Sequence, residues 1–237
     1  MTAFVIATFT FGVGFYGPSV FLSVLHQHHG WPVAIVSSAI TGHFLVSAGL
    51  VAWLPDAHRR FGVATTTLAG TVALLAGTVL WSLAWAPWQL FPACLVSGTG
   101  WAATSGAAII AIVSPWFDRR RALALGHALN GASVGGVLFA PVWVVLIGGV
   151  GFVQAVVAVG FLMLAVLVPL IVRYLPPVPE SLGLAPDGDE PGHVVLAGPT
   201  ERSPIRLVTC CQTEALPRCR PRSHSPCSPR SARSRIW

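Results

Sequence analysis

The sequence predicts an all-α polytopic membrane protein, six transmembrane helices followed by a disordered basic C-terminal tail. Two observations carry the prediction. The 237-residue chain is 54% hydrophobic and only 9% charged, whereas soluble domains carry about 25% charged residues. The few charges also leave long gaps, since residues 1–55, 61–117 and 122–172 contain no Asp, Glu, Lys or Arg. A helix crossing the hydrocarbon core needs about 20 apolar residues, so each gap holds two crossings and a turn. This composition excludes an ordinary soluble enzyme and a chain disordered throughout.

Breakers near the middle of each gap divide it into two helices. They are His26-Gln27-His28-His29-Gly30-Trp31-Pro32, then Ala86-Pro87-Trp88, then Gly148-Gly149-Val150-Gly151. The predicted crossings are 2–25, 33–55, 63–85, 88–113, 122–147 and 151–174. Short cytoplasmic loops collect basic residues. Arg59 and Arg60 follow the second crossing, Arg119 to Arg121 the fourth, and Arg173 ends the sixth, while the hairpin tips carry none. Both ends of the bundle are therefore expected in the cytoplasm, with the His-rich tip outside. Trp53, Trp85, Trp88, Trp116 and Tyr174 fall at helix ends, where amphipathic rings favour the headgroup level. The first crossing lacks a basic lead and a small-residue cleavage site, so it reads as a retained helix rather than a signal peptide. Its very short lead suggests a start codon called late.

The expected organisation is a bundle over 1–174, a cytoplasmic linker over 175–199 and a tail over 200–237. All 14 basic residues are Arg, and the net charge is +6. Through residue 199 six Arg balance six acids, so the whole excess lies in the tail, where eight Arg face Glu201 and Glu214. The charge is thus no footprint of a nucleic-acid partner. Rich in Arg, Ser, Pro and Cys, the tail has too little apolar surface to fold. Its composition fits out-of-frame translation of a GC-rich gene better than a lipid-binding segment. A framework on Cys210, Cys211, Cys219 and Cys227 is less favoured, because none has CxxC spacing.

Within the bundle, Gly12, Gly14 and Gly17 with Pro18 mark the first crossing as a tight seam or a break beside a cavity. In the fourth, Trp101, Thr104 and Ser105 share a face of a small-residue run, Gly98 through Gly106. In the fifth, His127 and Asn130 lie one turn apart. Polar groups in hydrocarbon turn inward or to water, so these two are solute-site candidates or an interhelical bond. Gly131-Ala132-Ser133-Val134-Gly135 satisfies GxSxG, but helix on both sides and no membrane-embedded acid argue against a nucleophile elbow. His26, His28 and His29 form an HxHH cluster without the further ligands of a closed metal site. His43 is mid-helix in the second crossing and Gln154 is the only strongly polar residue of the sixth, and both are ambiguous between lining and bracing. No catalytic residue, metal or cofactor is expected.

Taken in order, several pieces resemble the N-terminal six-helix half of a major facilitator superfamily transporter, in the monocarboxylate and oxalate-formate carrier branch. They are Phe11-Gly12 through Gly17-Pro18, Gly30-Trp31, Arg59-Arg60-Phe61-Gly62, and Trp116-Phe117 followed by Arg119-Arg120-Arg121-Ala122-Leu123-Ala124-Leu125-Gly126. Asn130 through Gly136 and Pro179 through Gly188 complete the set, and the resemblance covers about residues 1–199. It implies half of a twelve-helix fold, with the solute site between two halves at the midplane. It further implies a secondary transporter of small organic solutes, such as a monocarboxylate, working by alternating access in the lipid bilayer. Tyr16, Trp101, Ser105, His127 and Asn130 would line this half of the cavity, with His127 a proton-linked charge. Asp56, Arg59, Arg60, Gly62, Asp118, Arg119, Arg120 and Arg121 would form the cytoplasmic gate. The family places Asp directly before its Arg-x-Gly, where this chain has Arg59 and puts Asp56 three residues earlier. The resemblance also implies a truncated half, completed by a second half or by self-association, in a bacterial inner membrane. The alternative is a non-transporting membrane fragment or accessory subunit.

Overall fold

The computed structural model describes residues 1–175. The expected linker beyond Leu175 and the tail over 200–237 lie outside the described residues. In chain order the helices are α1 (Thr2–Gly14), α2 (Tyr16–His29), α3 (Val33–Val51), α4 (Leu54–Phe61) and α5 (Val63–Ser82). A 3-10 turn (Pro87–Gln89) leads into α6 (Leu90–Thr104), α7 (Gly106–Val113), α8 (Arg121–Val150) and α9 (Phe152–Tyr174). Among the described residues, six segments are long and apolar enough to cross a membrane. They are Thr2–His29, Val33–Val51, Val63–Ser82, Pro87–Val113, Arg121–Val150 and Phe152–Tyr174.

Three details differ from the sequence reading. The second crossing stops at Val51, and the expected loop folds as α4, with Leu54 buried and Asp56, Arg59 and Arg60 exposed. The fifth runs unbroken through Pro141, Gly148 and Gly149 to Val150, because glycine is tolerated in lipid-embedded helices. The chain reverses at Gly151 alone, whose φ of 94° and ψ of 165° suit only a residue without Cβ. The third concerns the first and fourth crossings, each of which is two helices rather than one.

With lipid as apolar as the side chains, helices associate through close packing at small residues. The α5–α6 seam shows it. A Cβ on Gly100 would overlap the Leu74 backbone, and one on Gly77 would overlap that of Ser97. On α8, Ala128, Gly131, Gly135, Phe139 and Trp143 form a buried stripe at helical spacing. A Cβ at Gly131 would overlap the Phe4 carbonyl of α1, and one at Gly135 that of Thr8. Trp81, Trp143, Phe21, Leu74, Leu90 and Leu167 fill the core. Trp53, Trp85, Trp88 and Tyr174 stand exposed at helix ends, consistent with interfacial belts.

Candidate functional site

The first and fourth crossings are each interrupted within the span, at Phe15 and at Ser105, and the two crossings are in contact through Thr10–Thr104 and Phe11–Trp101. α1 ends at Gly14 and α2 begins at Tyr16, with Phe15 between them at φ −105°, ψ −53°. Pro18 has no N–H to give the Gly14 carbonyl four residues back. In the fourth crossing Ser105 is extended, at φ −70° and ψ −173°, and separates α6 from α7. A helix end in hydrocarbon strands carbonyls that must find other donors. Here the Ser105 hydroxyl donates to the Ala102 carbonyl at 3.3 Å. The Thr10 hydroxyl of α1 is shared between the carbonyls of Ile6 at 2.8 Å and Thr104 at 3.3 Å. The Trp143 indole N–H reaches the Gly12 carbonyl at 3.1 Å. Side chains from other crossings thus reach one freed carbonyl at each break, Gly12 in the first crossing and Thr104 in the fourth.

A ring cluster surrounds Phe15 and Trp101. Trp101 stands edge-on to Phe11 with centroids 4.8 Å apart, and Phe15 lies 6.2 Å from Trp101 and 5.7 Å from Phe44. His43 packs edge-on to Phe44 at 4.9 Å and lies 6.5 Å from Trp101. Exposure falls steadily inward, from 47% at Phe15 through half-buried Phe44 to 7% at Trp101 and 1% at His43. His43 Nδ1 contacts Ser97 Oγ at 2.8 Å, and the Trp81 indole N–H donates to the same oxygen at 3.2 Å. Nothing in sequence links these three, since they stand on three crossings. The apolar setting of His43 was the one available signal.

Of the sequence-derived cavity residues, the structure brings Tyr16, Trp101 and Ser105 to the breaks. Tyr16 is half-buried, its ring against Gly136 of α8 and edge-on to Phe15 at 5.2 Å. His127 and Asn130 are exposed on α8, outside the buried stripe that faces α1. Ser133 of the GxSxG match is also exposed, in mid-helix.

Because the six crossings alternate in direction, the Arg-bearing connections share one end of the bundle. Asp56 forms an exposed ion pair with Arg59 on its own helix α4, and Arg60 is exposed beside it. Gly62, at φ 81°, ends that helix. Across the fourth-to-fifth connection, Arg120 precedes α8 and Arg121 donates to the Ser114 carbonyl at 3.2 Å. The Asp118 carbonyl accepts the Arg121 N–H at 3.4 Å, and the Asp118 and Arg119 residues are both engaged in further contacts. His58 of α4 has a buried Nε2 without a hydrogen-bond partner. Burial pushes its imidazole below the ordinary value by penalising the charged form.

At the opposite end His26 Nδ1–H donates to the Trp31 carbonyl at 2.8 Å, and the His29 ring lies 4.6 Å from that of Trp31. These histidines brace the first hairpin. Among the described residues no group of three or more metal-ligating side chains is gathered. A cavity of about 460 Å³ there is lined by His28, His29, Ser82, Trp85 and Gln154 among others.

Six apolar spans, two of them interrupted by a non-helical residue, define a polytopic membrane protein. Comparison with known proteins makes the class definite. Residues 4–229 match the Major Facilitator Superfamily, and the chain belongs to it. It is 32% identical over 196 residues to monocarboxylate transporter 11 of Homo sapiens, covering 66% of this chain and 41% of that protein. It is 27% identical over 199 residues to the MFS transporter asaE of Aspergillus flavus, covering 76% and 44%. An uncharacterized MFS-type transporter of Bacillus subtilis, YcxA, matches at 29% over 133 residues, covering 54% and 32%. The chain therefore spans less than half the length of these relatives.

Proposed function

We propose that the chain forms one half of a secondary carrier for a small organic anion such as a monocarboxylate, working by alternating access. The observation that carries the proposal is that the two interrupted crossings, broken at Phe15 and at Ser105, pack against each other through Thr10–Thr104 and Phe11–Trp101. Discontinuous helices put backbone and side-chain polar groups at mid-membrane depth, where such carriers bind solute. Tyr16, Trp101 and Ser105 line the site at these breaks. His127 and Asn130, exposed and polar on α8, belong on a water-filled or partnered face rather than in lipid. The complementary surface comes from a second half or a second copy of this chain. Asp56, Arg59, Arg60, Gly62 and Asp118 to Arg121 form the gate, on the cytoplasmic side where the arginines gather.

The test is uptake of radiolabelled pyruvate by proteoliposomes holding the chain at a density that permits pairing. Expected are flux above protein-free vesicles and loss of about tenfold in Trp101→Ala, as removing a buried ring contact worth about 1.4 kcal/mol would give. Absence of flux would favour the second reading, a membrane segment that does not transport alone. That reading is supported by coverage of under half of each relative.

A further inference from the structure

We propose that the cavity at the hairpin-tip end of the bundle is a binding site for a small organic carboxylate, filled when His28 and His29 are protonated. The proposal takes its ligand class from the organic-anion carrier reading and adds a first stop at the mouth of the bundle. The cavity measures about 460 Å³, within the range of about 300–1,000 Å³ common to small-molecule sites. His28 and His29, in the last turn of α2, line it and are exposed, so a solute in the aqueous phase reaches their rings directly. Trp85, after α5, and Gln154, on α9, are exposed as well and bring an indole and an amide to the same cavity.

The lining selects the ligand. It contains no Asp, Glu, Lys or Arg, and among the described residues the only acids are Asp56 and Asp118, which lie with the arginines at the other end. Imidazole changes charge between about pH 5 and 8. Two protonated rings here meet no anionic side chain, so their charge is left for an incoming anion. On binding, each ring keeps its proton and donates it to a carboxylate oxygen in a charge-assisted bond. The first turn of α9, Phe152 to Gln154, also lines the cavity and has no side-chain cap, so its N–H groups add partial positive charge. Leu83, Trp85 and Phe152 supply an apolar wall, which an organic tail covers and a hydrated inorganic ion does not. A metal would need further ligands, and among the described residues no group of three is gathered. His26, on the same helix, is outside the lining, with its Nδ1–H held by the Trp31 carbonyl.

The experiment measures binding of radiolabelled pyruvate to the full chain in phosphatidylcholine nanodiscs by equilibrium dialysis, at about pH 5.5 and 7.5 and matched ionic strength. Pyruvate is a carboxylate at both values, so any difference reports the protein. Expected is binding about tenfold tighter at the lower pH, as two partly exposed ion pairs would give. Lactate should displace the label and equimolar chloride should not. The double variant His28→Gln/His29→Phe keeps a ring against Trp31 and removes both charges. It should bind equally at the two pH values, to within about threefold. A pH difference that persists in this variant would belong to His26 or His127 and overturn the proposal. So would equal binding by the parent at both pH values, or displacement by equimolar chloride. Displacement by glycerol phosphate would assign the cavity to a lipid headgroup and overturn it too. Pyruvate flux without pH-dependent binding removes this site and keeps the carrier reading, whereas pH-dependent binding without flux keeps the site and removes that reading.

Discussion

Replacing Gly98 by Ala in α6 tests whether the α3–α6 seam is as tight as its geometry requires. A Cβ at Gly98 would lie 2.6 Å from the His43 carbonyl oxygen and 3.1 Å and 3.2 Å from Val46 Cβ and Cγ1. Ordinary contact begins at 3.4 Å. A helix carbonyl cannot rotate aside, so α3 and α6 must part by about 0.8 Å to recover van der Waals separation. Overpacking of this kind costs about 1–3 kcal/mol. The same parting stretches the His43–Ser97 contact from 2.8 Å, and losing an interhelical bond adds about 0.6–1.7 kcal/mol. Alanine's better helix propensity returns up to about 1 kcal/mol. The expected net loss is about 2–3 kcal/mol. Gly148→Ala is the control, because nothing lies within 4 Å of its added Cβ. It should be neutral or stabilising by up to about 1 kcal/mol. Equilibrium unfolding in mixed lipid–detergent micelles, followed by tryptophan fluorescence, measures both. A Gly98→Ala variant within about 0.5 kcal/mol of the parent, or shifted equally with the control, would refute the packing argument.

Trp143→Phe keeps the edge-on contact with Phe21, now at 5.2 Å, and removes the donor to the Gly12 carbonyl. The stranded carbonyl should cost about 1–3 kcal/mol in the same unfolding assay, and an unchanged midpoint would remove its role as a cap for the broken first crossing. His58 gives a pH signature. Its folded-state affinity for a proton is lowered by burial, so the unfolded chain binds more protons and stability falls as pH drops through the ordinary imidazole value. Between about pH 7.5 and 5.5, His58→Gln should flatten part of that loss, and identical slopes in parent and variant would contradict it.

The breaks were partly legible. Gly12, Gly14, Gly17 and Pro18 announced weakness in the first crossing, yet the interruption falls at Phe15, ahead of the proline. Ser105 drew notice as a polar residue on a face, with no signal that it would adopt extended backbone. Its conformation is tolerated because Thr10, on another crossing, helps cap the freed carbonyls. The segment around Asp56 reads as a loop from charge alone, whereas it is helical with an internal Asp56–Arg59 pair. Charge marks the end of a span but not the shape of the connection beyond it.

The sequence by itself determined how many apolar spans the described residues hold and, to within about four residues, where each begins and ends. Excluding charge from the bilayer is a residue-by-residue cost, written in the order of the chain. Only the tertiary structure decided which polar groups meet: His43 with Ser97 and Trp81, Thr10 with Thr104, Trp143 with Gly12. Those partnerships depend on how far each helix is rotated and at what depth it packs. In spans apolar on every side, periodicity carries almost no record of either.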